Sequence, residues 1–194
     1  MKVKVTPSKV HGNVKIPASK SMAHRALICA SLSDGTSLVS NVTNSKDIEA
    51  TVGCMKALGA KIKQIDETTY EVTGTNLFKQ EGNITCNANE SGSTLRFLIP
   101  LAACTNAKVK FLGQGRLLQR PMDVYENEFK EQNIEFNQSD KEIIVSGNLQ
   151  AKDYVVQGDI SSQFITGFMF VLPLLNQDST LTITEPYESK SYVN

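Results

Sequence analysis

The chain has 194 residues, enough for one domain with a sizeable core, and its 20 basic residues are balanced by 20 acidic ones. With no basic run and no interleaving of basic and aromatic residues, nothing points to nucleic acid, so any anion binding must come from a local pocket. The longest apolar run, residues 164–175, contains Pro173 and is too short to span a bilayer.

The N-terminus lacks the apolar stretch of a secretory signal, and the four cysteines (29, 54, 86 and 104) form no CxxC pair. His11 and His24 share no metal-ligand spacing with them. The expectation is a reduced, cytoplasmic protein with neither metal nor cofactor, its cysteines mostly small buried thiols. His24 reads as a packing or surface histidine.

In chain order, an extended segment (Val3–Pro17, broken by Pro7 and Gly12) leads into a helical pattern over Met22–Leu32, with Ser19 or Ser21 as N-cap. Lys20 and Arg25 stand near that end. A helix N-terminus offers unpaired N–H groups and partial positive charge, so these residues suit a phosphate or carboxylate. Taken alone, the stretch reads more readily as a capped helix with solvated charges.

The same event recurs twice. Asn89-Glu-Ser-Gly-Ser-Thr94 opens an apolar helix over Leu95–Cys104 that carries Arg96, and Gly158-Asp-Ile-Ser-Ser-Gln163 opens another over Phe164–Leu175. Ser21, Ser91 and Ser161 are evenly spaced by 70 residues, the signature of an internal repeat.

Between these echoes lie amphipathic helices, Asp47–Leu58 closed by Gly59 and Pro121–Gln132 with Pro121 in its first turn. Each is followed by β-rich segments, Lys61–Ile65 and Thr69–Val72, then Ile134–Phe136 and Glu142–Val145. Each unit reads as helix, strand, helix, two strands and a return strand, an α/β (α+β) class. The first helix of each unit is apolar nearly all round and expected to be buried, the second to face solvent on one side.

Ser189 stands two periods of 72 beyond Ser45, so a third unit begins but its second helix falls past Asn194. The pattern implies a piece of a longer polypeptide. Three like N-termini would meet at one end of the domain. Ser21, Gly92, Ser93, Ser161 and Ser162 would leave the backbone open there, Lys20, Arg25 and Arg120 would supply charge, and Gln163 a neutral donor and acceptor.

Five stretches in order carry a family resemblance: Ser19-Lys-Ser-Met-Ala-His-Arg-Ala-Leu27, Glu90-Ser-Gly-Ser-Thr-Leu-Arg96, Gln119-Arg-Pro-Met122, Ser161-Ser-Gln-Phe164 and Ser189-Lys-Ser-Tyr192. Together they resemble the motifs of the 5-enolpyruvylshikimate-3-phosphate synthase (EPSP synthase) family, over less than half of its usual length. The resemblance implies a domain of repeated βαβαββ units with buried helices, an inside-out α/β barrel whose third unit is incomplete here. Residues 1–12 would pair with a second, C-terminal domain of the same polypeptide, and residues 13–194 would form the shikimate 3-phosphate-binding domain. The full-length protein would be a monomer.

The implied reaction moves the enolpyruvyl group of phosphoenolpyruvate to the 5-hydroxyl of shikimate 3-phosphate and releases phosphate. By the motifs, Lys20, Ser21 and Arg25 hold shikimate 3-phosphate, and Lys20 also reaches phosphoenolpyruvate as the catalytic cation. Gly92 and Arg120 contact phosphoenolpyruvate. Ser161, Ser162 and Ser189 bind shikimate 3-phosphate, and Gln163 both ligands. Arg96 reads as structural, and Asp47 equally as a first-turn acid or a site residue.

Two positions depart from the family's pattern: Glu90 adds a negative charge beside the anion site, and Ser191 replaces a common proline. The chain alone, lacking the second domain, is expected to be inactive. Other readings are the sister transferase acting on UDP-N-acetylglucosamine, whose first motif lacks the counterparts of Ser21 and Arg25, and a non-catalytic repeat domain.

Overall fold

The computed structural model describes residues 2–187 and 193 of the chain. The first unit contains α1 (Lys20–Leu32), β1 (Thr36–Val39), α2 (Lys46–Ala57), β2 (Lys61–Gln64), β3 (Tyr70–Thr73) and β4 (Glu81–Asn87). The second repeats the order with α3 (Gly92–Ala102), β5 (Asn106–Leu112), α4 (Asp123–Glu131), β6 (Glu135–Gln138), β7 (Ile143–Ser146) and β8 (Asp153–Gln157). The third opens with α5 (Ser162–Val171) and β9 (Thr180–Thr184).

The sheets follow the repeat. In the first, β3 lies between β1 and β2, antiparallel to both, with Val39 opposite Tyr70 and Ile62 opposite Val72. The second has the same arrangement of β5, β7 and β6 and gains β4, parallel to β5, with Cys86 opposite Phe111. In the third, β8 runs parallel to β9. The parallel pairs β4–β5 and β8–β9 flank α3 and α5 in the chain, so each unit's return strand joins the next unit's sheet through a helical crossover. Alternation sets the inner face: Tyr70 and Val72 of β3, and Ile143 and Val145 of β7, point into the core.

The core is built mainly on the first helices of the units. Leu27 and Ile28 of α1, Leu95, Phe97 and Leu98 of α3 and Phe164 and Phe168 of α5 are buried. On the second helices, Ile48 and Met55 of α2 and Tyr125 and Phe129 of α4 turn inward and charged residues turn out, as amphipathic spacing dictates.

Two prolines and a glycine shape the approach of α3 to α5. Pro100 inside α3 has no N–H to donate to the Arg96 carbonyl four residues earlier. The Tyr125 hydroxyl takes that place, donating to Arg96 O at 2.7 Å. Gly167 of α5 passes so close that a methyl group on it would lie 2.2 Å from the Tyr125 oxygen and 2.9 Å from Arg96 O. Pro173 ends α5 early, so the helix expected to reach Leu175 stops at Val171 and continues as a tight turn of 3-10 helix over Leu172–Leu174.

Residues 2–17 join none of the sheets, and their apolar side chains Val3, Val5, Val10, Val14 and Ile16 are exposed. Two further expectations change. Pro121 lies before α4 rather than in its first turn, since Met122 precedes the first helical residue, Asp123. Helix α1 is only half covered: Met22, Ala26 and Cys29 face outward, while α3 is buried along most of its length. The difference lies in the neighbours, because α3 packs closely on α5 and α1 leans mainly on α2 and β1.

All four cysteines are free thiols; Cys54, Cys86 and Cys104 are buried and Cys29 is exposed. No helix among the described residues is long and apolar enough to cross a membrane.

Candidate anion-binding site

Each unit's first helix, α1, α3 and α5, begins with a serine N-cap in extended conformation. Ser19 accepts from Met22 N, Ser91 from Thr94 N and Ser161 from Gln163 N. Ser19, rather than Ser21, therefore caps α1. The caps satisfy one N–H each and leave others of the first turns free to meet an anion.

The three ends are tied together by side chains. Gln163, in the first turn of α5, donates through Nε2 to Ser93 Oγ at 2.9 Å and accepts at Oε1 from Arg96 Nη1 at 2.8 Å. Arg25 of α1 donates through Nη2 to Thr166 Oγ1 of α5 at 2.8 Å and through Nη1 to Ser21 O at 3.1 Å. Its guanidinium lies 5.0 Å over the Phe97 ring, as that of Arg96 lies 5.0 Å over Phe164. Gln163, Arg96 and Arg25 are half-buried, so their fixed geometry does not depend on a ligand.

Lys20 and Arg120 are exposed at the rim. Lys20 Nζ pairs with Asp47 Oδ2 at 2.5 Å, which links α1 to the first turn of α2 and makes Asp47 a member of the site. Arg120 follows the short 3-10 turn Leu117–Gln119 and reaches back over Gly92: a methyl group there would lie 2.5 Å from Arg120 Nη1 and 3.9 Å from Arg96 Nη1. The Arg120 side chain thus already fills the space beside Gly92. Burial, and then the Arg120 charge beside it, push Arg96 below the ordinary arginine range. Two guanidinium groups share one small region, and an anion between them relieves their repulsion.

Most of the residues singled out by sequence come together here: Lys20, Ser21, Arg25, Gly92, Arg120, Ser161, Ser162 and Gln163. Ser189, with Tyr192, lies outside the described residues. The Glu90 carboxylate lies against the Gly115 bend. Arg96, read from the sequence as structural, holds Gln163 and lies over Phe164, one turn along the helix from Gly92. Sequence reasoning missed Ser93 and Thr166 as anchors for Gln163 and Arg25.

Behind the site, His24 is fully buried. Burial pushes its pKa from 6.5 down to about 4; Asp47 opposes this, and Lys20 and Arg25 reinforce it. Among the described residues, no group of three His, Cys, Asp or Glu side chains is placed to hold a metal ion.

The family model of EPSP synthase (3-phosphoshikimate 1-carboxyvinyltransferase) matches residues 5–194. The chain belongs to the EPSP synthase family. It is 47% identical to the 3-phosphoshikimate 1-carboxyvinyltransferase of Clostridium perfringens strain SM101 over 100% of this chain and 46% of that protein. With the enzyme of the same name from Clostridium kluyveri it shares 47% identity over 99% of this chain and 45% of that one. Among solved structures, an EPSP synthase from Acinetobacter baumannii superposes with a TM-score of 0.77 at 17% identity, covering 94% of this chain and 42% of that one. That likeness shows the fold. The chain spans less than half the length of these EPSP synthase relatives.

Proposed function

We propose that this chain is the shikimate 3-phosphate-binding portion of a 3-phosphoshikimate 1-carboxyvinyltransferase, a cytoplasmic, monomeric enzyme in its full-length form. The observation that carries the reading is the Gln163 bridge. One amide joins the first turns of α3 and α5 and meets Arg96, beside the Gly92–Arg120 contact. A neutral bridging amide among cations suits a ligand that carries anionic and hydroxyl groups together.

In this reading Lys20, Ser21 and Arg25 receive the 3-phosphate end of shikimate 3-phosphate with Ser161 and Ser162, and Ser189 joins them by motif. Gly92 and Arg120 receive phosphoenolpyruvate, and Gln163 touches both. Protonation of the methylene carbon makes the neighbouring enol carbon electrophilic. The 5-hydroxyl attacks that carbon and gives up its proton to form a tetrahedral intermediate, and loss of phosphate together with a proton from the new methyl group yields the enolpyruvyl product. Lys20 is a compact cation at the end of a mobile stem, released from Asp47 to offset charge on the reacting oxygens. No cofactor is required by this chemistry.

The reading also includes a second domain of the same polypeptide. The exposed valines Val3, Val5 and Val10 support a pairing of residues 1–12 with it. Closure of two domains excludes water and completes the charged site, so this chain alone is expected to bind without turnover.

Amide NMR with added shikimate 3-phosphate tests the proposal. Saturable shifts at Ser21, Gly92, Ser93 and Ser161–Gln163, absent with UDP-N-acetylglucosamine, are expected. Shifts with the nucleotide sugar alone, or no saturable shift with either, would overturn it.

A further inference from the structure

A chain of buried polar side chains runs behind the site and joins three helices. His24 Nδ1 of α1 lies 2.7 Å from Thr51 Oγ1 of α2, which lies 2.7 Å from Thr94 Oγ1 of α3. Thr94 Oγ1 donates to Ser91 Oγ, the N-cap of α3, at 2.7 Å, and lies 3.3 Å from the alternative acceptor, the Asp47 carbonyl. His24, Thr51 and Thr94 are 0% exposed and Ser91 2%. His24 Nε2 is buried and has no hydrogen-bond partner among the described residues.

These contacts favour one placement of the protons. A buried N–H without an acceptor is costlier than a buried lone pair without a donor, so the imidazole proton belongs on Nδ1. Nδ1–H then donates to Thr51, the one Thr51 hydrogen passes to Thr94, and the one Thr94 hydrogen is left for Ser91 or the Asp47 carbonyl. With the opposite tautomer, Thr51 would donate to Nδ1 and accept the Thr94 hydrogen, so Ser91 Oγ and the Asp47 carbonyl would lose that donor while the cap bond from Thr94 N to Ser91 Oγ remains.

We propose that His24 is a positioning residue that, by setting the direction of this hydroxyl chain, holds the first turns of α1, α2 and α3 in register. Those turns present Lys20, its partner Asp47, and Gly92 under Arg120. A fully connected buried network specifies one arrangement where apolar packing alone allows small slips. His24 acts through these residues and touches no ligand. The effect on binding rests on the proposed function above; the effect on structure does not.

Three measurements on the whole chain test the inference. Nitrogen NMR of the ligand-free protein near neutral pH is expected to show the Nδ1–H tautomer of His24. Hydrogen exchange at Thr94 N–H and Leu95 N–H, the amides that bond to Ser91, is expected to quicken roughly tenfold in His24→Leu. It should stay near the parent rate in His24→Asn, whose amide N–H sits where Nδ1–H was.

Shikimate 3-phosphate affinity is expected to fall roughly tenfold in His24→Leu and in Thr51→Val and to be kept in His24→Asn and Thr51→Ser. Thr51→Val is the control should His24→Leu fail to fold. The Nε2–H tautomer, or folded His24→Leu and Thr51→Val proteins with parental exchange, would overturn the inference. If the parent chain binds no shikimate 3-phosphate, the functional reading fails, and the tautomer and exchange results still decide the role of His24.

Discussion

Arg96 and Gln163 hold each other: the guanidinium donates to the amide oxygen at 2.8 Å, and the amide nitrogen is thereby aimed at Ser93. Because the amide presents its oxygen to the cation, its orientation is set before any ligand arrives. Replacing Gln163 by Glu keeps the acceptor for Arg96 but loses the donor to Ser93 and adds a negative charge among the anion-binding groups. Affinity for shikimate 3-phosphate should fall about tenfold or more, with the midpoint of thermal unfolding shifted by only a few degrees. Calorimetry beside a thermal melt checks both halves.

Gly92→Ala should leave stability nearly unchanged and still impair the site. The added methyl meets the far end of Arg120 at 2.5 Å, and a long exposed side chain swings away at small cost. Inorganic phosphate affinity is the readout. A loss matching that of Arg120→Ala, and no further loss in the double variant, is expected if both substitutions act through one guanidinium.

Gly167→Ala is the opposite case. Its methyl would meet the buried Tyr125 oxygen at 2.2 Å and the Arg96 backbone oxygen at 2.9 Å, neither of which has room to withdraw. A loss of about 2–4 kcal/mol is expected from urea denaturation. Tyr125→Phe should cost less, about 1–2 kcal/mol, for an Arg96 carbonyl left without a donor.

The buried His24 gives stability a specific pH dependence. Its pKa is about 4 in the folded chain against 6.5 ordinarily, so between these values the unfolded chain binds a proton that the folded chain refuses. Stability should fall as pH drops from about 6.5 to 4 and level off below, a total of roughly 3 kcal/mol for this group. The carboxylates titrate in the parent and in His24→Asn alike and cancel in their difference. Denaturation curves of the two proteins at a series of pH values should therefore diverge through this window and nowhere above it.

Much of this was legible in the sequence because the repeat states it three times. Ser19, Ser91 and Ser161 cap like helices at nearly equal intervals, and once three like N-termini are placed at one end, Lys20, Arg25, Gly92 and Gln163 fall together. The two strands after each amphipathic helix were read to within two residues, since side chains such as Ile143 and Val145 alternate with half-exposed neighbours.

What escaped was long-range. Nothing near Arg96 says that a glutamine 67 residues on will receive it, and nothing near Pro100 says that Tyr125 will serve the carbonyl it frees. His24 looked like an ordinary packing residue because the threonines that order its proton lie on two other helices. The half-exposure of α1 was also missed. Its residues are as apolar as those of a buried helix, and burial depends on what stands beside it.

The most direct test of the account is calorimetric titration of this chain with shikimate 3-phosphate, run beside Lys20→Ala and Arg120→Ala. Both residues are exposed, so neither substitution should unfold the protein. The account predicts saturable binding by the parent chain, with the Lys20→Ala affinity lower by at least about tenfold and Arg120→Ala less affected, since that guanidinium is assigned to phosphoenolpyruvate. A folded parent chain with no saturable binding, or binding untouched by Lys20→Ala, would contradict the claim that these helix ends form the shikimate phosphate site.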